Sequence, residues 1–311
     1  MKERCSRRQL AAPCVCWQRT LLSMCGRLAT QLASAAVLVA LVAPANGQTP
    51  PNPGTLTTLA GRASAGAPTG NYRCDYNNTP AVGDTIKVSA ESLARMSDGS
   101  YVIYDRGANC IHRLANGMLT TIAGNGTQGD PVNNVPATQT PMRGVTGVAI
   151  APDGGIFYSD SDNHVIRRFT IGGNVATIAG QFVSPTTYVS SPNANPLLAQ
   201  FNNPFGLAFD SAGNLFVAQW RGNCVSKIAN AATTAGAVSN VVGNCQSGSP
   251  VGGFAGDNGA ASGAQTNQIS SVAFDSDGNL YFTDVFNQRV RMVRASTTGV
   301  ATQIESSDPI T

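Results

Sequence analysis

Lysine is almost missing from this chain, with three residues among 311. Histidine is rarer still, at two, and charged residues together make up only 12%. So thin a supply of cations argues against a nucleic-acid surface, which needs a basic patch to meet phosphates. The formal charge of +3 does not restore one, because six of the 20 basic residues and one of the 17 acidic ones precede residue 48. What remains carries 14 basic against 16 acidic residues, a net charge of −2. No G-x-S-x-G elbow, H-E-x-x-H pair or phosphate-cradling loop occurs, and the Gly-rich GTQGD (126–130) and GDNG (256–259) open no helix. Beyond residue 47 no stretch has helical periodicity, and glutamate is confined to Glu91 and Glu305.

Glycine, by contrast, is abundant at 33 residues, and Thr, Asn and Val crowd the chain, as expected of short strands joined by turns. The N-terminus reads as a targeting signal. A basic stretch ending at Arg27 precedes an apolar run (28–43), followed by small residues at Ala45 and Gly47. The run is 16 residues long, short for a spanning helix. Residues 1–47 are therefore assigned as a signal peptide, with Met24 as an alternative start, and 48–54 as a Pro-rich linker. This predicts a secreted protein with no stable membrane insertion after cleavage. A signal-anchored membrane protein and an organelle-lumen protein are the alternatives. Of the eight cysteines, Cys74, Cys110, Cys224 and Cys245 lie beyond the signal, and an even number in an exported chain points to disulfides. Asn77 (NNT) and Asn125 (NGT) are glycosylation sequons, meaningful only if the chain is exported.

Four stretches align without a gap: LARMSDGSYVIYDRGANCIHRL (93–114), VAIAPDGGIFYSDSDNHVIRRF (148–169), LAFDSAGNLFVAQWRGNCVSKI (207–228) and VAFDSDGNLYFTDVFNQRVRMV (272–293). Each holds an apolar run, a turn with Gly at 99, 154, 213 or 278, and a second run ending at Asp105, Asp160, Gln219 or Asp284. A third run follows, then a trailing element: LTTIAG (119–124), VATIAG (175–180), SNVVG (239–243) or VATQI (300–304). LTTLAG (56–61) is a fifth copy of that element, ahead of the first unit. Runs of four to six residues rich in Val, Ile, Phe and Tyr are strands, and four antiparallel strands repeating about every 55–65 residues describe propeller blades. DSDGN (275–279) resembles the start of a calcium-binding EF-hand loop, but Leu280 stands where that loop needs Gly and Phe286 where it needs Glu. Its recurrence in every unit marks it as a hairpin turn.

These units resemble the NHL repeat, most closely in NNPFGLAFDSAGNLFVAQ (202–219) and SDNHVIRRF (161–169). FAGDNGAASGAQ (254–265) and TIAGNGTQGD (121–130) are similar to linkers in extracellular, teneurin-like versions of the repeat. Glu91 and Arg95 around the first strand of blade one, and Gln219 in blade three, depart from the pattern. The resemblance implies an all-β, NHL-type β-propeller over residues 55–311, acting as a scaffold for protein or ligand binding. Six blades are common in the family. Four recognisable four-stranded blades plus one orphan strand imply a truncated product or an open, partial propeller rather than a closed four-blade ring.

Repetition separates structure from function. Asp105, Asp160 and Asp284 recur, so each carboxylate is expected to accept N–H bonds in the following turn. The turns between second and third strands should share one face with the long linkers between blades. That face would gather Arg106, Ser161–Asp162, Trp220–Arg221 and Val285–Phe286, and variable loops on a rigid scaffold favour binding. Arg106, Asp162, Trp220, Arg221 and Phe286 are the candidate contacts, with a protein or a carbohydrate as partner and no nucleic acid. Trp and Arg dominate binding hot spots, although Trp220 could equally serve to cover a neighbouring blade. No cofactor, catalytic residue or metal ligand is assigned. A zinc lyase of the peptide-amidating kind needs several His ligands, and His112 and His164 stand at non-equivalent positions. A hydrolase or lyase with calcium or zinc in the central channel is the alternative, since scattered carboxylates leave no motif. Cys224 and Cys245 are equidistant from a hairpin centred near 234–235 and should pair, leaving Cys74 for Cys110.

Overall fold

A computed structural model of the protein describes residues 58–61, 71–82, 86–182, 190–245, 252–295 and 310. The expected signal, the 48–54 linker and the VATQI strand (300–304) lie outside these residues. The regular structure described consists of strands and single 3-10 turns, arranged as four successive antiparallel sheets.

Blade one comprises β1 (Thr79–Pro80), β2 (Ala90–Arg95), β3 (Tyr101–Asp105), β4 (Cys110–Ala115) and β5 (Met118–Ala123), in the order β1-β5-β4-β3-β2. Blade two repeats this with β6 (Val135–Pro136), β7 (Val145–Ile150), β8 (Ile156–Asp160), β9 (Val165–Phe169) and β10 (Asn174–Ala179), β6 lying outermost. Blade three has β11 (Pro204–Phe209), β12 (Leu215–Gln219), β13 (Cys224–Ile228) and β14 (Val238–Val242). Blade four has β15 (Ile269–Phe274), β16 (Leu280–Asp284) and β17 (Arg289–Val293). The inner strands β2, β7, β11 and β15 are neighbours in that order.

Two features correct the sequence expectation. Blades one and two each gain a fifth, two-residue outer strand ending in proline, a residue tolerated at a sheet edge because it lacks an N–H. The orphan LTTLAG copy does not supply that outer strand. Its described part forms a bend, Leu59 and Ala60 pack beside Tyr76 and Leu119, and Gly61 bridges Val82 in parallel. In blade four Ile310 pairs with Val293, as Val238 pairs with Ile228 in blade three. Ile310 thus takes the first seat of the fourth strand. Among the described residues the sheets form four blades, not six.

Blades one to three bury both faces, whereas blade four buries the face toward blade three and leaves Val290 exposed on the other. Val102, Tyr104 and Ile111 of blade one meet Val148, Ile156 and Phe169 of blade two. Phe157 and Ile166 meet Leu207, Leu215 and Ile228, and Phe216 and Val225 meet Val272, Phe282 and Val293. This alternation follows from the two-residue period of a strand, which sends adjacent side chains to opposite neighbours. The hairpin glycines 99, 154, 213 and 278 have φ of 86, 82, 83 and 83°, the region L side chains avoid.

Candidate functional site

Each second strand ends on a buried polar side chain that ties the blade to the linker entering it. Asp105 Oδ1 accepts from the Ser89, Gly107 and Ala108 amides, and Asp284 Oδ1 accepts from Asn267 N at 2.7 Å. Gln219 Oε1 accepts from Asn202 N, also at 2.7 Å. Asp160 accepts from Asn163 Nδ2 at 2.9 Å. The bonds therefore reach back to the preceding linker as well as forward into the turn, a linkage no local reading of the turn predicts.

Facing these groups is a column of third-strand residues that repetition had left unremarked. His112 Nε2 lies 3.6 Å from Asp105, Arg167 Nη1 4.0 Å from Asp160 and Arg291 Nη1 3.3 Å from Asp284. Ser226 accepts from Gln219 Nε2 at 2.7 Å. The signal was legible in the alignment: a cationic or imidazole residue wherever the second strand ends in Asp, a neutral one where it ends in Gln. Burial pushes the Asp160 carboxyl up to about 7, with Asn163 and Arg167 opposing. These groups are enclosed and hold the fold.

The exposed chemistry lies one residue further, at the turns between second and third strands. Backbone bonds lash those turns to the linkers: Arg106 N to Ser89 O at 3.0 Å, Trp220 N to Asn203 O at 2.9 Å and Phe286 N to Asn267 O at 3.1 Å. Each turn closes on a left-handed residue, Asn109, His164, Asn223 or Gln288. Asparagine tolerates that conformation because its short side chain bonds locally. One surface thereby carries the expected residues. Trp220 stacks on Phe205 at 5.1 Å and meets Phe286 edge-on at 6.0 Å, so three rings run from blade three to blade four. Phe286 is 61% exposed.

Arg106 pairs with Glu91 across 3.6 Å. Burial raises the Glu91 carboxyl above its ordinary value, Arg106 lowering it and Asp162 raising it. Burial lowers the His164 imidazole, which feels Asp162 and Arg221 as well. Asp162 is thus within electrostatic reach of blades one and two, and Arg221 of blade two. Phe205, Glu91 and His164 were not among the predicted contacts; Phe205 was hidden because it sits inside an inner strand rather than in a loop. Asn77 and Asn125 are exposed, and Asn125 Oδ1 accepts from Thr127 N at 3.0 Å.

The structure joins Cys224 to Cys245 and Cys74 to Cys110. Among the described residues no group of three or more His, Cys, Asp and Glu could hold a metal, and no helix is long and apolar enough to cross a membrane.

A family model described as the Teneurin NHL domain matches residues 162–294. Teneurin-4 of Homo sapiens is 28% identical over 229 residues, covering 67% of this chain and 8% of the teneurin. Teneurin-4 of Mus musculus gives the same figures. Residues 162–294 thus resemble the Teneurin NHL domain. The chain spans only 8% of the curated relatives it matches. A solved Bacteroides thetaiotaomicron protein of unknown function shares the fold, with a TM-score of 0.50 and 17% identity over 65% of this chain and 46% of that one. The two disulfides are compatible with an extracellular location.

Proposed function

We propose that this NHL-repeat chain is an exported, non-enzymatic scaffold that binds a protein or carbohydrate partner through its linker-bearing face. Residues 1–47 act as the signal, 48–54 as a linker and the remainder as the propeller, with Asn77 and Asn125 glycosylated. The observation that carries the reading is the run of Phe205, Trp220 and Phe286, half-buried to exposed, beside the exposed Arg221. A stacked ring of this kind presents a rigid apolar plate, to which Arg221, Arg106 and Asp162 add directional polar contacts at its margins. Asp105, Asp160 and Asp284 stay structural in this reading.

Partner capture from the secreted fraction, with a glycan array in parallel, tests it. A partner so identified should bind the Trp220→Ala, Arg221→Ala double variant at least about thirtyfold more weakly, the loss expected of a hot spot worth roughly 2 kcal/mol. Unchanged affinity for every captured partner would place the contact elsewhere.

A further inference from the structure

On the opposite face, where the first and second strands turn, the four blades converge on a cavity of about 470 Å³. Its lining repeats by register. Arg95, Ile150, Phe209 and Phe274 are the last residues of the four inner strands, and Ser97, Pro152, Ser211 and Ser276 follow two positions on. Three of the four strand ends are apolar, and Arg95 alone breaks the pattern. Its counterparts on the third strands are tied down: Arg113 bonds Asp98 at 2.5 Å and Arg168 bonds Asp153 at 2.6 Å. Arg95 is exposed and has no hydrogen-bond or ion-pair partner among the described residues.

The cavity's two carboxylates do not answer Arg95, because their own turns occupy them. Asp210 accepts from Ala212 N, Asn214 N and Asn214 Nδ2. Asp275 accepts from Asp277 N, Asn279 N, Asn279 Nδ2 and the Tyr281 hydroxyl. The lining therefore sets Ile150, Phe209 and Phe274 beside the polar Ser97, Ser211 and Ser276, with one guanidinium whose side chain is unmatched among the described residues, in a volume suited to a small molecule.

We infer that this axial cavity binds a small aromatic carboxylate, its ring against Ile150, Phe209 and Phe274 and its carboxylate on the Arg95 guanidinium. Two parallel N–H donors match the two carboxylate oxygens, which distinguishes such a ligand from its neutral analogue. The site lies apart from Trp220, so its ligand is independent of whatever the other face holds.

Calorimetric titration of the purified full chain with 2-naphthoate and with the uncharged 2-naphthamide tests the assignment. The carboxylate should bind at least about tenfold more tightly than the amide, the ratio expected of one charge-assisted bond. Arg95→Gln should abolish that ratio while leaving amide affinity unchanged, Arg95→Lys should keep part of it, and Trp220→Ala should leave both affinities unaltered. Equal affinities in the unaltered chain overturn the inference. So does a carboxylate preference that survives Arg95→Gln, or no binding of either probe at millimolar concentration.

Discussion

Blade three holds Gln219 against Ser226 where blade four holds Asp284 against Arg291, at 2.7 and 3.3 Å. Both side chains do one task, accepting a linker amide at 2.7 Å. The difference lies in what the partner reaches. Ser226 is short, donating to Asn240 Oδ1 at 2.8 Å and lying 3.8 Å from Cys245 Sγ, and the linker beyond is fastened by the Cys224–Cys245 disulfide. Arg291 extends through its own linker to Asp257, to the Ala255 carbonyl and to the Gln265 carbonyl. One blade thus uses a covalent tie and a neutral network, and the other a buried cation that organises a long loop. A buried ion pair gains little over a neutral pair of good fit, but removing one partner leaves a stranded charge.

The comparison can be broken at its charged end first. Arg291→Ala should strand Asp284 and release the 252–268 linker, lowering stability by roughly 3–5 kcal/mol in urea unfolding. A loss below 1 kcal/mol would mean the pair does not organise blade four. At the neutral end, the Cys224→Ser, Cys245→Ser double variant should cost about 3 kcal/mol, from loop-closure entropy. Reducing agent, which also opens Cys74–Cys110, should cost the unaltered chain more than the double variant does, and should lower the variant further only by what that second bridge contributes.

Blade two supplies the smallest effect. An unfolded aspartate titrates near about 3.9, so between that pH and about 7 the folded protein keeps the proton on Asp160 that the unfolded chain has released. The stability this contributes is complete below about pH 4 and is lost as pH rises through about 7. Thermal midpoints should therefore fall between pH 5 and pH 8, and Asp160→Asn should flatten that fall. A variant that keeps the full slope would assign it to other groups.

Much of the fold could be read from four gapless copies. The three inner strands of every blade, the hairpin glycines and the pairing of Cys224 with Cys245 all follow from periodicity and turn chemistry. The outer edges could not, because β1 and β6 are two residues each, and so short a pairing has no periodicity to detect. In blade four Ile310 pairs with Val293, while VATQI (300–304), expected as its fourth strand, lies outside the described residues. Trp220 and Phe286 were legible as non-repeating residues in repeating turns, whereas Phe205 looked like one more strand residue until the turn beside it closed.

By itself the sequence determined that this chain is built of repeated antiparallel blades, which residues lie in their inner strands and which columns repeat. Those properties depend on contacts within a few residues, where the two-residue alternation and the left-handed turn positions act. The tertiary structure alone decided which columns meet. It set Arg167 and Arg291 against buried carboxylates, drew three aromatic rings from two blades into one run, and brought four strand ends around one cavity with Arg95 unmatched. The contact of Trp220 with Phe286 and the gathering of the four strand ends join residues 50 or more apart in the chain, and only the packing of one sheet on the next brings them within reach of each other.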